Sequence, residues 1–286
     1  MRVFDLTRFF ALVESHRVTD SMLVPPILNS MVKLADTAAL YDVSSLRWVI
    51  SGAAPLGPET ARRLELAYSG LRVLQGYGLT ESSPGISLNG PSANRSGSSG
   101  QLLPNIEAKV IDDEGQTLGE GEGKVGELCF RGPNIMLGYL NNDEATRQTI
   151  DKWGFLHTGD IGYIDKQRFV FVTDRKKELI KFNGFQVAPA ELEGILLQHP
   201  SVLDCAVMGV FDPLRQTEVP RAYLVLAEKR DLLAADDAAK DIVVWMNRQV
   251  AYYKQLRGGY VLVSAIPKSA SGKILRRALL DTSTVY

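Results

Sequence analysis

The stretch that most constrains the fold of this chain is a strand, a helix and a second strand within residues 46–78. LRWVI (Leu46–Ile50) has the composition of a buried strand, Pro58 begins a helix that Gly70 ends, and Leu71–Leu74 is typical of a second strand. A strand, helix and strand of this length connect as a parallel crossover. The loops after the two strands, SGAA and QGYG, are therefore expected at one edge of a parallel sheet, where open α/β sheets bind ligands.

The rest of the pattern predicts an α/β fold. Helical spacing of apolar residues covers 4–14 and 25–35, with a short strand over 18–24 between them. A flexible polar loop is expected over 90–100. Strands of a smaller antiparallel sheet are predicted over 108–111, 127–131 and 169–173. The expected architecture is thus part of a large domain with a parallel sheet and a small antiparallel sheet, followed by an α+β module.

The domain boundary is predicted between Asp174 and Arg175, where an apolar strand gives way to a basic stretch. Residues 1–174 then form the first domain, and residues 175–286 form a module of ordinary domain size. The module holds 16 Lys or Arg against 12 Asp or Glu, while the whole chain holds 32 against 33. Much of this positive charge lies in two basic runs, residues 175–181 and 268–277. Such runs are typical of a solvated face, and they also suit a polyanionic ligand such as a nucleotide.

Composition excludes several classes of protein. A net charge of −1 argues against a nucleic-acid binder, and no apolar run approaches the roughly 20 residues of a membrane helix. Cys129 and Cys205 lie in apolar runs and are expected to be buried thiols of a reducing compartment. The three histidines show no metal-ligand spacing, so no zinc site is expected. The start lacks a signal-peptide pattern and the end lacks a peroxisomal tripeptide, which predicts a cytoplasmic location.

The second crossover loop, QGYGLTES (Gln75–Ser82), combines residues that a plain turn does not require. Its glycines allow the backbone to approach a ligand closely, and the Tyr77 ring can stack on a base. Thr80 can donate a hydrogen bond to a phosphate, and Glu81 can hold Mg²⁺. The set favours a nucleotide site over a simple tight turn.

A second motif, LHTGDIGYID, places Asp160 after a Thr-Gly turn. Its two carboxylate oxygens could accept hydrogen bonds from both ribose hydroxyls. An aspartate in such a turn is also a frequent structural element, which is the role expected of Asp165. His157 is expected to pack or to form hydrogen bonds rather than to catalyse.

The boundary motif, DRKKELIKFNGFQVAPAELE, contains a helix start at Pro189, with acidic residues against the positive end of the helix dipole. Capping does not explain Lys177, Lys181 or Gly184. These residues are therefore candidates for binding an anionic ligand.

The last motif, IPKSASGKILRR, holds Lys273 directly after a Ser-Gly turn and between basic residues. An ammonium on a flexible stem can follow negative charge that develops on a carboxylate and a phosphate together. A solvated basic helix would explain the same pattern, so the motif gains weight only from the others.

Taken together and in this order, SGAAPL, QGYGLTE, LHTGD, DRKKELIKFNGFQVAPAELE and PKSASGKILRR resemble the core motifs of the acyl-adenylate-forming enzymes, particularly the 4-coumarate–CoA ligase type. The resemblance spans essentially the whole chain. It implies that a carboxylic acid reacts with Mg-ATP to give an acyl-AMP, and that a thiol, usually that of coenzyme A, then displaces AMP. It also implies that a small C-terminal domain rotates about the boundary between the two steps. A role in secondary metabolism would fit this class.

The resemblance also assigns roles to single positions. Lys273, Thr80 and Glu81 would be catalytic, with Glu81 as the Mg²⁺ ligand, and Asp174 would be the hinge. The nucleotide or CoA would contact Gly52, Ala53, Ala54, Gln75, Gly76, Tyr77, Gly78, Asp160, Arg175, Lys177, Lys181 and Gly184. The acyl pocket would include Ala53, Gly76, Pro84 and Gly85.

Two departures from the family pattern bear on function. Asn183 stands where many 4-coumarate–CoA ligase-like enzymes carry a lysine associated with the CoA phosphates, which leaves the identity of the thiol open. The chain also begins about where the second half of the family's large domain begins, so it resembles the C-terminal half-plus without the upstream phosphate loop. The expected partners are therefore an aromatic or medium-chain carboxylic acid and an N-terminal half.

Three functions follow from these observations. The first is an AMP-forming acid–thiol ligase that uses ATP, Mg²⁺ and coenzyme A. The second is an adenylation unit that loads a carrier-protein thiol, which is less favoured because no carrier domain follows Lys273. The third is a catalytically incompetent fragment that binds nucleotide, CoA or another protein.

Overall fold

The computed structural model describes residues 4–54, 56–228, 231–269 and 273–280. The chain divides into two compact units, residues 1–172 and residues 173–286, and each is described by itself. Over the described ranges, no helix has both the length and the apolar character needed to cross a membrane. The predicted α/β class, with a parallel sheet, a small antiparallel sheet and a following α+β module, is confirmed.

The first unit opens with a five-stranded sheet and the helices packed on it. Its strands, in spatial order, are β1 (Asp20–Leu23), β2 (Trp48–Ser51), β3 (Arg72–Gly78), β4 (Gly85–Leu88) and β5 (Gln101–Leu102). The helices are α1 (Leu6–His16), α2 (Pro25–Lys33), α3 (Ala35–Ala38) and α4 (Pro58–Ala67). The first three strands are parallel and the last two pair antiparallel. Buried Phe10, Leu28 and Leu64 join the helices to the sheet.

The predicted crossover is confirmed, because α4 connects the parallel strands β2 and β3. The expectation that QGYG forms a loop was wrong, since β3 continues through Gly78. Beyond Gln75 the strand changes partner and pairs antiparallel with β4. The small size of Gly76 permits this pairing, because a Cβ there would lie 3.2 Å from Leu88 Cδ1.

The segment predicted as a flexible polar loop, residues 90–100, is a loop whose position is fixed by a buried side chain. Asn89 Nδ2 donates to the Ser98 carbonyl over 2.9 Å, and Asn89 Oδ1 accepts from the Arg95 backbone amide over 3.2 Å. Asn89 and Ser98 are each 1% exposed. These contacts order the part of the loop that precedes β5.

A second, five-stranded sheet completes the first unit. In spatial order its strands are β10 (Val170–Arg175), β9 (Leu156–Ile164), β8 (Gly126–Arg131), β6 (Glu107–Ile111) and β7 (Thr117–Leu118), with α5 (Asp143–Thr149) before β9. Pairs β6–β7, β6–β8 and β8–β9 are antiparallel, as predicted for the smaller sheet. The motif LHTGDIGYI was expected to hold a Thr-Gly turn before Asp160, and the structure places the whole motif in strand β9, between β10 and β8.

The described part of the second unit contains a hairpin, a three-stranded sheet and three α-helices. Its strands are β11 (Ile180–Phe182), β12 (Phe185–Val187), β13 (Val202–Asp212), β14 (Thr217–Leu226) and β15 (Tyr260–Leu262). The helices are α6 (Pro189–Leu196), α7 (Leu232–Asn247) and α8 (Arg277–Leu280). A core that includes fully buried Leu192, Val207 and Ile242 joins α6, β13 and α7. Both cysteines of the chain are buried thiols, as expected.

Candidate functional site

The carboxyl ends of β2 and β3 meet at one edge of the parallel sheet. Ser51 pairs with Gln75, and a Cβ on Gly52 would lie 3.7 Å from the Gly76 carbonyl oxygen, so the SGAA and QGYG motifs are adjacent. Ala53 has φ of 71°, a left-handed conformation that costs an alanine about 1–2 kcal/mol. The Ser51 hydroxyl is buried and makes no hydrogen bond within the described part of the chain. Strained backbone and an unsatisfied buried hydroxyl are features typical of a binding site.

Tyr77 and Asp160 join two distant motifs beside this edge. The Tyr77 hydroxyl donates to Asp160 Oδ2 over 2.6 Å, although 83 residues separate them. The Tyr77 ring lies 5.9 Å from the Phe130 ring, centroid to centroid, at an interplanar angle of 52°. Asp160 is only 3% exposed. The structure therefore places a buried carboxylate against the phenol of the QGYG motif.

A bulge in β9 gives Asp160 this position. Ile161 pairs with Glu127 and His157 pairs with Cys129, so three residues of β9 lie opposite Leu128 alone. The hydroxyl of Thr158 donates to the Leu128 carbonyl over 2.7 Å and accepts from the backbone amide of Asp160 over 3.0 Å. Gly159 between them has φ of 69°. The Thr-Gly pair in the sequence predicted the local backbone reversal but not the strand around it.

The turn after β3 carries Thr80 and Glu81. A Cβ on Gly78 would lie 1.7 Å from the Pro84 carbonyl oxygen, so only glycine fits there. The Leu79 amide donates to that same carbonyl over 3.0 Å, and the buried Ser82 hydroxyl donates to it over 2.6 Å. Thr80 is exposed at the surface and Glu81 is half-buried. The turn thus holds the hydroxyl and the carboxylate predicted to contact phosphate and Mg²⁺.

Two further residues brace this turn, and sequence reasoning missed both. The Tyr139 hydroxyl donates to Glu81 Oε1 over 2.8 Å, and burial followed by Glu81 raises the pKa of Tyr139. Asn134 Nδ2 donates to the carbonyls of Ser82 and Gly85 over 2.7 and 2.6 Å. Both belong to GPNIMLGYLN, a segment with glycine, asparagine and tyrosine but no periodicity. The combination of glycine, asparagine and tyrosine was the one sequence signal that could have marked this segment as part of the site.

The expected acyl-pocket residues lie around the same turn. Pro84 is exposed, and a Cβ on Gly85 would lie 3.0 Å from Leu103 Cδ1. Gly85 pairs with Gly78 across β3 and β4, and Gly76 lies two residues earlier on β3. Their roles in substrate binding stay predictions.

In the second unit, Lys181 and Gly184 belong to the β11–β12 hairpin. Asn183 and Gly184 form its turn with φ of 47° and 83°, the pair of left-handed conformations that a two-residue hairpin turn favours. The turn explains structurally why residue 183 is asparagine, because asparagine tolerates a positive φ better than lysine does. Lys181 is exposed on β11, and Gly184 is exposed at the tip.

Asp174, the expected hinge residue, has a structural partner in α6. Its carboxylate accepts hydrogen bonds from the backbone amides of Arg175 over 2.7 Å and Ala190 over 3.1 Å. Ala190 lies in the first turn of α6, so the side chain caps that helix. Burial raises the pKa of Asp174 to about 6. Arg175 and Lys177 are exposed next to it.

Lys273 lies opposite Ser269 in a pair of short, hydrogen-bonded arms, and residues 270–272 are outside the described residues. Its backbone carbonyl accepts from the Ser269 amide over 2.9 Å, and its backbone amide donates to the Ser269 hydroxyl over 3.2 Å. The side chain is exposed and makes no ion pair with the described residues. An ammonium presented in this way is available to a ligand.

A polar cluster lies on β8 and β9 that the sequence spacing did not predict. Cys129 Sγ lies 3.6 Å from His157 Nδ1, and Glu127 completes a group of donor atoms within 4.8 Å of one another. His157 Nε2 lies 3.4 Å from Asp151 Oδ2. Burial opposes the charge of Asp151, but hydrogen bonds led by that from Lys109 lower its pKa to about 2. His157 forms hydrogen bonds here, as expected, although a divalent metal could also be held by this set.

Comparison with known proteins identifies the class. A family model described as "AMP-binding enzyme" matches residues 1–140, and one described as "AMP-binding enzyme C-terminal domain" matches residues 191–273. The chain belongs to this family of adenylate-forming enzymes.

Within the family, the chain is similar to 4-coumarate–CoA ligases. It is 46% identical over 280 residues to probable 4-coumarate–CoA ligase 3 of Dictyostelium discoideum, covering 97% of this chain and 49% of that protein. The anthranilate CoA ligase AuaEII, solved with anthranoyl-AMP, superposes with a TM-score of 0.84 at 30% identity, covering 96% of this chain and 52% of that one. The O-succinylbenzoate CoA synthetase of Bacillus subtilis, solved with AMP, gives 0.80 at 30% identity, covering 100% and 56%. The chain spans about half the length of the relatives it matches.

Proposed function

We propose that this chain contributes the AMP-binding edge and the C-terminal domain of an AMP-forming acid–CoA ligase. One observation carries the proposal: the Tyr77 hydroxyl and the Asp160 carboxylate, from motifs 83 residues apart, meet over 2.6 Å beside the ends of two parallel strands. A buried carboxylate, close glycine backbone and an exposed Thr-Glu turn suit a nucleotide with its ribose, phosphates and Mg²⁺.

The residues of the first unit fit the proposed ligands. Asp160 would accept the ribose hydroxyls, and Gln75, Gly76 and Tyr77 would contact the adenine. Mg²⁺ is usually held by one or two carboxylates plus substrate phosphates, which suits Glu81. Its Oε1 accepts from Tyr139, while its Oε2 accepts no hydrogen bond from the described residues. Mg²⁺ held there would favour attack of the substrate carboxylate on the α-phosphate of ATP.

The second unit would supply the groups that alternate between the two steps. Lys273 would stabilise the charge of the adenylation transition state, and Gly184 with Lys177 and Lys181 would serve the thiol in the second step. Asp174 would be the pivot and Arg175 would contact the ribose. The similarity to CoA ligases favours coenzyme A over a carrier-protein thiol, and an aromatic acid as the acyl substrate.

ATP–pyrophosphate exchange tests the proposal. The assay uses this chain alone and a completed enzyme, in which the upstream half of the Dictyostelium relative precedes it. Exchange that depends on an added carboxylic acid supports adenylation. A completed enzyme that binds ATP but exchanges no pyrophosphate with any aromatic or medium-chain acid would instead favour a catalytically incompetent binding protein.

A further inference from the structure

Among the described residues, hydrogen bonds join the two arms of the segment that carries Lys273. We name residues 267–269 and 273–276 the lysine hairpin. Beyond the two bonds between Ser269 and Lys273, the Leu275 amide donates to the Pro267 carbonyl over 2.8 Å, and Lys268 pairs with Ile274 as a single bridge. Contacts outside the two arms can add support that fixes their position.

Apolar and ionic contacts outside the hairpin supply this support. Ile266 and Leu279, before and after the hairpin, are buried against β13 and β14. On the first arm, Lys268 Nζ pairs with Asp204 Oδ2 over 2.5 Å. On the second arm, the matching contact comes from Arg276, three residues after Lys273.

The Arg276 guanidinium binds three separate parts of the second unit. Its Nε donates to Glu178 Oε2 over 2.8 Å, in the stretch that follows the expected hinge. Its Nη1 donates to Glu193 Oε1 on α6 over 2.5 Å and to the Val207 carbonyl on β13 over 3.0 Å. A planar guanidinium can make these bonds at once, whereas an ammonium on the same backbone cannot match their directions.

The surroundings of Arg276 make this contact strong and specific. Its side chain is 17% exposed and that of Glu193 is 12% exposed. Burial opposes the charge of Arg276, but Glu193 and Glu178 outweigh it and raise the pKa of Arg276 above its ordinary value. Glu193 Oε1 also accepts from the Val207 amide over 2.8 Å, so the carboxylate is itself held in place. The next residue, Arg277, is exposed and pairs with no acidic group of the described residues.

We propose that Arg276 is a positioning residue for Lys273. The inference rests on the proposed role of Lys273 in adenylation. Arg276 fixes the base of the arm from which Lys273 projects, and it ties that arm to both the post-hinge stretch and α6. A displacement of about 1 Å at a reacting group can cost on the order of 100-fold in rate. Loss of the Arg276 guanidinium hydrogen bonds should therefore slow the step that uses Lys273 and spare the step that does not.

The first experiment compares Arg276→Lys with Arg277→Lys in the completed enzyme. Arg276→Lys keeps the positive charge and loses the planar guanidinium donors. Arg277→Lys, one residue away, is the matched control. We expect Arg276→Lys to lower kcat for adenylation by about tenfold or more, with the KM for ATP within about threefold of the parent. Thioester formation from supplied acyl-AMP should stay within about threefold, and Arg277→Lys should match the parent in both steps. Equal losses in the two half-reactions, or none in adenylation, would overturn the proposal.

Lys273→Ala is measured in parallel to separate the two claims. If Lys273→Ala abolishes adenylation while Arg276→Lys leaves it intact, the positioning role of Arg276 is wrong and the proposed function stands. If Lys273→Ala leaves adenylation intact, the proposed role of Lys273 fails and the positioning role fails with it.

A second readout needs no activity and uses the full chain. Hydrogen exchange of the Ser269 and Leu275 amides reports whether the lysine hairpin holds its position. Arg276→Lys should increase their exchange by about tenfold while the β13–β14 amides keep theirs. Glu178→Ala, which removes one bond and leaves Glu193, should give a smaller increase in the same two amides. Unchanged hairpin exchange in both variants would contradict the proposal.

Discussion

Asp160 and Asp174 are both nearly buried aspartates, yet their partners give them different expected tasks. Asp160 accepts a hydrogen bond from the Tyr77 hydroxyl, whereas Asp174 accepts from two backbone amides and caps α6. The first arrangement places a carboxylate beside the edge of the parallel sheet, which suits the proposed ligand-binding task. The second already satisfies the carboxylate with the protein backbone, which suits a structural task at the boundary.

For Asp160, we predict that Asp160→Ala weakens ATP binding by the completed enzyme about tenfold or more. Hydrogen bonds to a charged group contribute roughly 1.5–3 kcal/mol each, and a tenfold change in affinity corresponds to about 1.4 kcal/mol. Asp165→Ala is the control, since Asp165 accepts from the Gln167 and Phe169 amides in a turn and should affect stability only. Calorimetric titration with ATP measures both. Equal affinity in Asp160→Ala and the parent would assign Asp160 to the fold.

For Asp174, the raised pKa predicts a pH-dependent stability. Folding favours the protonated carboxyl, so its contribution is complete below about pH 3.8 and is lost as pH rises through about 6. The difference corresponds to roughly 3 kcal/mol at most. Urea unfolding of the parent and Asp174→Asn should show the parent losing stability relative to the variant between pH 4 and 7. A constant difference across this range would contradict the raised pKa.

At the scale of elements, the turn after β3 depends on one glycine. Gly78→Ala would place a Cβ 1.7 Å from the Pro84 carbonyl oxygen, so the turn with Thr80 and Glu81 must shift. We predict a stability loss of about 1–3 kcal/mol and at least a tenfold loss of adenylation in the completed enzyme. Gly123→Ala, where a Cβ meets nothing within 4 Å on an exposed turn, is the control and should change neither. Thermal unfolding and pyrophosphate exchange measure the two effects.

The elements also show what the sequence could and could not predict. The crossover from β2 to β3 was predictable because apolar strands and a proline-initiated helix leave local signals. Strand β9 was missed because Thr158 and Gly159, which form its bulge, look like a turn when the partner strand is unknown. The contacts of Tyr77 with Asp160 and of Arg276 with Glu178 were also out of reach, since each joins residues 83 or more positions apart. The order of the motifs indicated the candidate site residues, and only the fold shows which residues contact them.

At the scale of the whole molecule, the parallel sheet presents an edge and exposed apolar side chains. Strand β1 is at the end of the strand order, and Met22 on it is 81% exposed. Leu40 and Leu66 of the same unit are 77% and 70% exposed. Edges and apolar surfaces of this kind favour association with another polypeptide.

We therefore predict that residues 1–286 expressed alone are poorly soluble or nearly inactive, and that the upstream half of a relative restores both properties. Co-expression of that half as a separate chain, followed by size-exclusion chromatography and a thioester assay, measures the effect. Robust thioester formation by residues 1–286 alone would contradict this prediction.

The central claim is that Lys273 acts in adenylation and not in thioester formation. The most direct test measures both half-reactions on Lys273→Ala in the completed enzyme, with pyrophosphate exchange for the first and CoA consumption from supplied acyl-AMP for the second. We expect a loss on the order of 100-fold or more in the first and less than about threefold in the second, because removal of one preorganised electrostatic contact slows only the step that uses it. Equal losses in both steps would contradict the account and assign Lys273 to folding or general binding.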